Sequence, residues 1–598
     1  MKKPPPSDFR SHNQDAGRIF VPLVVLFAAF MAFLPALRGG FVWDDSVIVR
    51  STGWRGFGWD NLKWMFGPPP FDKYQPLVWL SYAVDRCFWG MDPYGWHLSN
   101  LVLHALAALA FYFVCMRLLV RAPRAPADTD LFELRLAAGF AALVFAVHPL
   151  RVESVAWITE RSDILSGLFS LLAVWAYLRI HDTPAGADSR SCWLALSLVF
   201  FASALLSKTI TIGLPLVLIA LDIYLLDRLP RESNRWFSAT AKSVWKEKIA
   251  YILPAAAAGL VGYLGQARSG SIRSMENFGF GARAAQSFYG LVFYLRKTLL
   301  PIRLSPMYEL PDPFNPLAPK FILSGIAAAA LGVWLFARRR SRPAAFAAGL
   351  CYLAIVAPVL GIVPIGHQLA ADRYSYLSCM AWAILAGGIF LRAHRRWPAE
   401  ARVLALGAVS TLIFLTGRQT RIWHDEASLW TGALAAYPQS RIAENNLGFE
   451  LMRHGQYDEA ERHFRRALEI SPAYAEAVTN LGNIDYLRGL GDEALREYGR
   501  ALILNPRLYN VHVNIGIILM KRGEFARALD EYGQAAAIKP DYLDAINGMG
   551  MAYLYLGNFA EARKLLLEAQ KIDPDSSEVR ENIVLLGQME NRRSGGHG

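Results

Sequence analysis

The sequence predicts an all-α fold in two parts, a polytopic bundle of about 11 membrane-spanning helices followed by a superhelix of short helical repeats. Three observations carry this. Of the 598 residues 54% are hydrophobic and the mean hydropathy is +0.23, high values for a water-soluble chain of this length. Apolar runs of about 20 residues, the length that crosses a hydrocarbon core as a helix, recur through the first 417 positions. Beyond them the chain turns polar, and Pro438, Pro472, Pro506, Pro540 and Pro574 stand 34 residues apart.

The expected spans are 18–38, 97–117, 136–150, 164–180, 192–207, 210–227, 248–265, 320–337, 344–366, 375–394 and 401–417. The polar, basic tail 1–17 lacks a small-residue cleavage site after the first run, so that run reads as a retained anchor. Segment 287–301, SFYGLVFYLRKTLLP, is apolar but carries Arg296 and Lys297, each costing about 2.5–3.5 kcal/mol at the bilayer centre. With that segment in the interface and the tail cytoplasmic, the basic stretches Arg117 to Arg135, Arg228 to Lys248, 338–342 and 392–396 share one side, as the positive-inside rule requires. Eleven spans then put everything after residue 417 on the periplasmic or exoplasmic face of what reads as a bacterial inner-membrane protein. The net charge of +12 is explained by these loops, which excludes nucleic acid as the expected partner. The five cysteines offer neither a disulfide framework nor a thiolate metal site.

In the polar part, Gly448, Gly482, Gly516 and Gly550, and Ala460, Ala494, Ala528 and Ala562, keep the 34-residue step of the prolines. That period, with small residues where two helices cross and Tyr457 and Phe464 at packing positions, is the tetratricopeptide (TPR) signature. It predicts a half-repeat helix at 424–438 that clamps the superhelix to the membrane domain 18–417, four repeats over 439–574, a capping helix at 575–591 and a frayed tail.

The topology gathers the unusual polar residues on the external face. GGFVWDDSVIVR (39–50) carries Asp44 and Asp45; HPLRVESVAWITERSD (148–163) carries His148, Glu153, Glu160, Arg161 and Asp163; SKTIT (207–211) carries Lys208; GHQLAADRYSY (366–376) carries Asp372, Arg373 and Tyr374; QARSGSIRS (266–274) lies on the same side. Taken singly, each group has a plainer explanation. The aspartates can be a solvated turn, Glu153, Arg161, Glu160 and Asp163 local helix pairs, Lys208 a snorkelling cation, and Arg373 a partner of Asp372. The stripe His97, Asn100 and His104 more readily hydrogen-bonds across helices than ligates a metal. Together, acids and cations at one membrane face suit a reaction whose leaving group is a lipid phosphate. Arg and Lys hold the departing charge, and a carboxylate takes the proton of an attacking hydroxyl. No P-loop indicates a nucleotide donor.

The stretches FVWDD, QPLVWLSYAVDRCFWGMDPYGWHLSNLVLHA, FAVHPLRVESVAWITERSDILS, LSKTI, YLRKTLLP and ADRYSYL, followed by TPR repeats, resemble the transmembrane and tetratricopeptide repeat containing (TMTC) proteins and their bacterial relatives. The resemblance implies a GT-C glycosyltransferase that moves a sugar, mannose in the eukaryotic members, from a polyprenyl-phosphate donor to a hydroxyl of protein Ser or Thr. On this resemblance Asp44 or Asp45 is the general base, and Arg373 and Lys208 match the family's "DRY" and "SK" positions. With Arg161 they are assigned to the donor phosphate, and His148, Glu153, Glu160, Asp163, Asp372 and Tyr374 are the other pocket candidates. Ser378 stands where the family usually has Pro. No metal ligands are assigned, and a divalent metal bridging donor and acids stays open. The expected partners are the lipid-linked sugar, membrane lipids and a polypeptide on the superhelix. The alternative is a catalytically inactive, membrane-anchored TPR adaptor.

Overall fold

The computed structural model describes residues 8–51, 53–67, 73–122, 130–184, 188–232, 235, 236, 238, 241–268, 272, 273, 278–363, 366 and 368–595. The first seven residues of the tail, parts of the basic loops 117–135 and 228–248 and of the 266–274 loop, His367 and the last three residues lie outside them. The chain divides into two compact units, Met1–Tyr437 and Pro438–Gly598.

In the first unit each of the eleven stretches expected as spans overlaps a helix, with residues 364 and 365 of the stretch 344–366 outside the described residues, but not all are long enough to pass as a candidate span. Gly17–Arg38, Pro93–Val120, Ile158–Ile180, Lys242–Arg268, Pro319–Ala337 and Pro398–Arg421 are long and apolar enough. Two more candidates are bent pairs, Leu131–Ala146 with Pro149–Ala156 at 54° and Asp372–Ser378 with Met380–Arg396 at 57°. Among the described residues there are therefore six candidate spans, or eight if each bent pair counts as one. The remaining stretches, Ser189–Leu205, Thr209–Tyr224 and Pro343–Val359, have at most 17 residues, and 17 residues of helix reach only about 25 Å, short of a hydrocarbon core of about 30 Å. Residues 287–301 lie on the helix Phe280–Leu299, which is not among the six; its Lys297 is buried and donates to the carbonyls of Ile302 and Arg303 at 2.8 and 2.7 Å. A short antiparallel ribbon, Tyr308–Glu309 with Gln368–Ala370, interrupts the all-α fold.

The run 131–180 is broken twice. His148 is extended and Pro149 opens the next turn; Trp157 is extended between Val152–Ala156 and the 3-10 turn Ile158–Glu160. Each break frees carbonyls that must find donors inside the protein. Thr416 Oγ1 donates to Val147 O at 2.7 Å, His104 Nε2 to Ala146 O at 2.9 Å, Asn100 Nδ2 to Val155 O at 3.1 Å, and the Tyr82 hydroxyl to Ile158 O at 2.9 Å. His97 Nε2 donates to Gly40 O at 3.3 Å. The His97–Asn100–His104 stripe thus serves the broken backbone. Around the second break Trp54, Trp79, Tyr82, Trp96 and Ile158 form one buried cluster. At the far end of Ile158–Ile180, about 25 Å from Glu160 by helix rise, Lys248 pairs with Asp222 at 2.8 Å, both fully buried, and Arg228 joins Asp222 and Glu247.

The second unit is four helix pairs and a final helix. The pairs are Arg441–Arg453 with Tyr457–Ile470, Ala475–Leu487 with Gly491–Leu504, Tyr509–Lys521 with Phe525–Ile538, and Leu543–Tyr555 with Phe559–Ile572, before Ser577–Gly595. Gly455, Gly489, Gly523 and Gly557 end the first helix of each pair at φ +76 to +81°, a left-handed turn that suits glycine. Ala460, Ala494, Ala528 and Ala562 are fully buried where the helices cross. A Cβ on Gly516 would stand 2.7 Å from the Tyr532 ring, whereas one on Gly499, inside Gly491–Leu504, meets nothing within 4 Å. Chemical denaturation of the fragment 438–598 should show Gly516→Ala losing about 1–3 kcal/mol to overpacking and Gly499→Ala gaining about 0.5–1 kcal/mol from helix propensity.

Candidate functional site

The second break aims the acids. Because Ile158–Glu160 is a tight turn and Arg161 starts a new helix, Glu160 and Asp163 leave the backbone toward Lys208, which is extended at the start of the turn Thr209–Gly213. Lys208 Nζ donates to Glu160 Oε2 at 2.5 Å and pairs with Asp163 Oδ1 at 2.8 Å. Ser154 Oγ donates to Asp163 Oδ2 at 3.1 Å. Arg373, in the turn Asp372–Tyr374, pairs through Nη1 with Glu153, whose Oε2 also accepts the Arg373 N–H at 2.8 Å. Arg373 Nη2 donates to Gln368 Oε1 at 2.9 Å, and its Nε lies 3.4 Å from Glu160 Oε1. Glu160 thus bridges the two cations, and the Arg373 guanidinium rests 5.5 Å over Trp157. Burial alone would lower the Lys208 pKa, but Asp163 and Glu160 outweigh it and raise it.

The two aspartates divide their work. Asp45 is fully buried; its Oδ1 accepts the Thr159 N–H at 2.8 Å and hydroxyl at 2.6 Å, and its Oδ2 the Val42 N–H at 3.2 Å. It pins the loop to the turn that carries Glu160. Asp44 is half-buried, and among the described residues its side chain has no hydrogen bond or ion pair. Burial raises its pKa; Lys73 and Arg373 oppose this and Glu160 adds to it, so Asp44 lies within electrostatic reach of the network. Trp43 between them and the first helix has φ +55°, a left-handed conformation costing about 1–2 kcal/mol for a non-glycine residue. Its ring stacks on Trp157 at 4.6 Å.

Arg161, expected beside Arg373 and Lys208, has other partners: Asp85, Asn100 and Trp96. Its Nη2 lies 2.5 Å from Asp85 Oδ2, Nε donates to Asn100 Oδ1 at 2.6 Å, and Nη2 to Trp96 O at 3.1 Å. The guanidinium lies between the Tyr82 and Trp96 rings, 1% exposed. One step after the turn, it points into the tryptophan cluster while its neighbours face Lys208. His148 is also spent on structure: Nδ1 accepts the Leu150 N–H and Nε2 donates to Thr298 O. Asp372 accepts the Tyr308 hydroxyl at 2.8 Å, and Tyr374 offers its ring to Arg373 at 5.0 Å. Arg273, from the 266–274 loop, donates to Gly366 O. Among the described residues no three His, Cys, Asp or Glu side chains are arranged to hold a metal. Thr159, Gln368, Asp85 and Glu426 were missed in the sequence because nothing distinguishes them from ordinary polar residues there.

A membrane helical bundle carrying a buried acid–cation network, with TPR repeats after it, is the class this fold and site define. The tetratricopeptide repeat family matches residues 451–509 and 519–581. Protein O-mannosyl-transferase Tmtc3 of Drosophila melanogaster is 25% identical over 471 residues, covering 69% of this chain and 50% of the relative. Protein O-mannosyl-transferase TMTC1 of Homo sapiens is 26% identical over 511 residues, covering 76% and 56%. The chain spans about half the length of these curated relatives. It is a distant homologue of the TMTC protein O-mannosyl-transferases, with TPR repeats at its C terminus.

Two outcomes follow from the geometry. Removing one partner of the buried Arg161–Asp85 pair, as in Asp85→Ala, strands a charge and should cost about 3–5 kcal/mol, read as a lowered thermal midpoint in detergent. Burial pushes Asp45 up to about 7, against its Thr159 and Val42 donors. A carboxyl raised on folding contributes stability that is full below its unfolded value near 3.8 and is lost as pH rises through 7. The stability of the native chain relative to Asp45→Asn should therefore fall between about pH 4 and 7.

Proposed function

We propose that the protein transfers a sugar, by homology mannose, from a polyprenyl-phosphate donor to a hydroxyl acceptor, with Asp44 as general base and Lys208 and Arg373 on the phosphate side. The observation that carries this reading is a half-buried Asp44 that has no hydrogen bond or ion pair among the described residues and lies within electrostatic reach of Arg373, one of two anchored cations. A base must be within reach of its proton and not already committed. Asp45, whose oxygens accept three donors, is committed; Asp44 has no such partner among the described residues, and burial raises the proton affinity of both.

In this reading the acceptor O–H gives its proton to Asp44 as its oxygen bonds to the anomeric carbon, with inversion. The bond from that carbon to the phosphate oxygen breaks, and the phosphate leaves with the electron pair. Lys208 has three N–H donors, of which Glu160 and Asp163 engage two; the third is available to a phosphate oxygen. Its side chain is 18% exposed against 9% for Arg373, so Lys208 is the first contact and Arg373 the deeper one. Glu153, Glu160 and Asp163 hold the cations in place, and Arg161 stays outside the site. The site lies on the periplasmic or exoplasmic face, and the TPR unit binds the acceptor polypeptide.

The test is transfer from radiolabelled polyprenyl-phosphate mannose in isolated membranes. Asp44→Asn should lower the rate about 100-fold or more, and Lys208→Met about 10- to 1000-fold. Undiminished transfer by Asp44→Asn would remove the assignment.

A further inference from the structure

The loop that carries Asp44 is held by a segment far away in the sequence. Glu426 Oε1 accepts the Trp43 N–H at 2.6 Å and Glu426 Oε2 accepts Trp430 Nε1 at 2.9 Å. The Gly40 N–H donates to His424 O at 2.9 Å. Trp430 meets the Trp43 ring edge-on at 5.0 Å, and Trp423 stacks at 5.7 Å on Trp157, whose ring also stacks on Trp43. All of these residues lie in the first compact unit.

The amide gripped by Glu426 belongs to the one residue of this loop with a left-handed backbone, Trp43 at φ +55°. That conformation turns the chain so that Asp45 goes to Thr159 while Asp44 is left for the network. A bulky aromatic residue holds it only where its surroundings over-determine it. A carboxylate spanning the Trp43 amide and the Trp430 indole, with stacking on Trp157, supplies that over-determination.

We propose that Glu426 is a positioning residue: it fixes the backbone of Trp43 and thereby the direction of the Asp44 carboxylate. The proposal rests on the reading of Asp44 as the base. It requires no contact between Glu426 and substrate.

The test uses the full chain in phosphatidylglycerol–phosphatidylethanolamine nanodiscs with two readouts: hydrogen exchange of the amides of residues 42–45, and transfer kinetics with polyprenyl-phosphate mannose. Glu426→Ala should speed exchange at 42–45 and lower kcat about 10- to 100-fold with KM for the donor changed less than about threefold. Glu426→Gln keeps an oxygen for the Trp43 N–H but none for the Trp430 indole N–H, and should give exchange and kcat between those of Glu426→Ala and the native chain. Should the alanine variant fail to fold, Glu426→Asp, which keeps the charge but is one methylene short of spanning both donors, must show the same split. Unchanged exchange at 42–45, or kcat within about twofold of the native chain in a folded variant, overturns the proposal. Asp44→Asn is measured alongside: full transfer there is a failure of the base assignment, whereas slow exchange in Glu426→Ala is a failure of the positioning role.

Discussion

The first unit depends on satisfying the carbonyls that two breaks release inside the bundle. A helix carried straight from 131 to 180 would need no help, because its backbone bonds close on themselves. Interrupted at His148 and Trp157, it needs outside donors, and in a low-dielectric interior each missing one costs several kcal/mol. Thr416, His104, Asn100 and Tyr82 supply them from three other helices. In return the breaks give what a straight helix cannot: Glu153, Glu160 and Asp163 leave from short turns toward a common point, while Arg161 points away. The polar stripe of Pro93–Val120 is thus the support on which the charged site is built.

That site is organised before any ligand arrives. Lys208 and Arg373 are each held by two carboxylates, and Glu160 is common to both. Buried ion pairs contribute little net stability, since desolvation offsets much of the attraction; their value here is geometric. Fixed cations need no reorganisation when negative charge develops between them, which is the condition under which such groups act strongly on a transition state.

The 34-residue period made the repeats legible, because each Gly and Ala sits where a larger side chain would collide. The spans were legible as apolar runs, but run length alone does not separate a crossing helix from a short buried one. Of the eleven runs counted, six to eight are helices long and apolar enough to be candidate spans among the described residues. Glu160, Lys208 and Arg373 stood out as charges at the ends of apolar runs. Arg161 stood out equally and is elsewhere, since one residue after a 3-10 turn the side chain changes face, and no periodicity reports that. Glu426 was invisible: it occupies a polar position in a helix whose spacing matches the repeats, and its contact is 383 residues away in the chain.

The same reasoning explains why two adjacent aspartates are useful where one would not be. A lone carboxylate in this loop would either spend its oxygens on donors, leaving none aimed at an acceptor, or remain unpaired on a backbone free to move. Asp45 takes the donors and fixes the loop to the Thr159 turn; the left-handed Trp43, held by Glu426 and stacked on Trp157, fixes it from the other side. Asp44 is then left half-buried, with no hydrogen bond or ion pair among the described residues. In the proposed reading, anchorage and reactivity make different demands on a carboxylate, and neighbouring residues sent in different directions meet them separately.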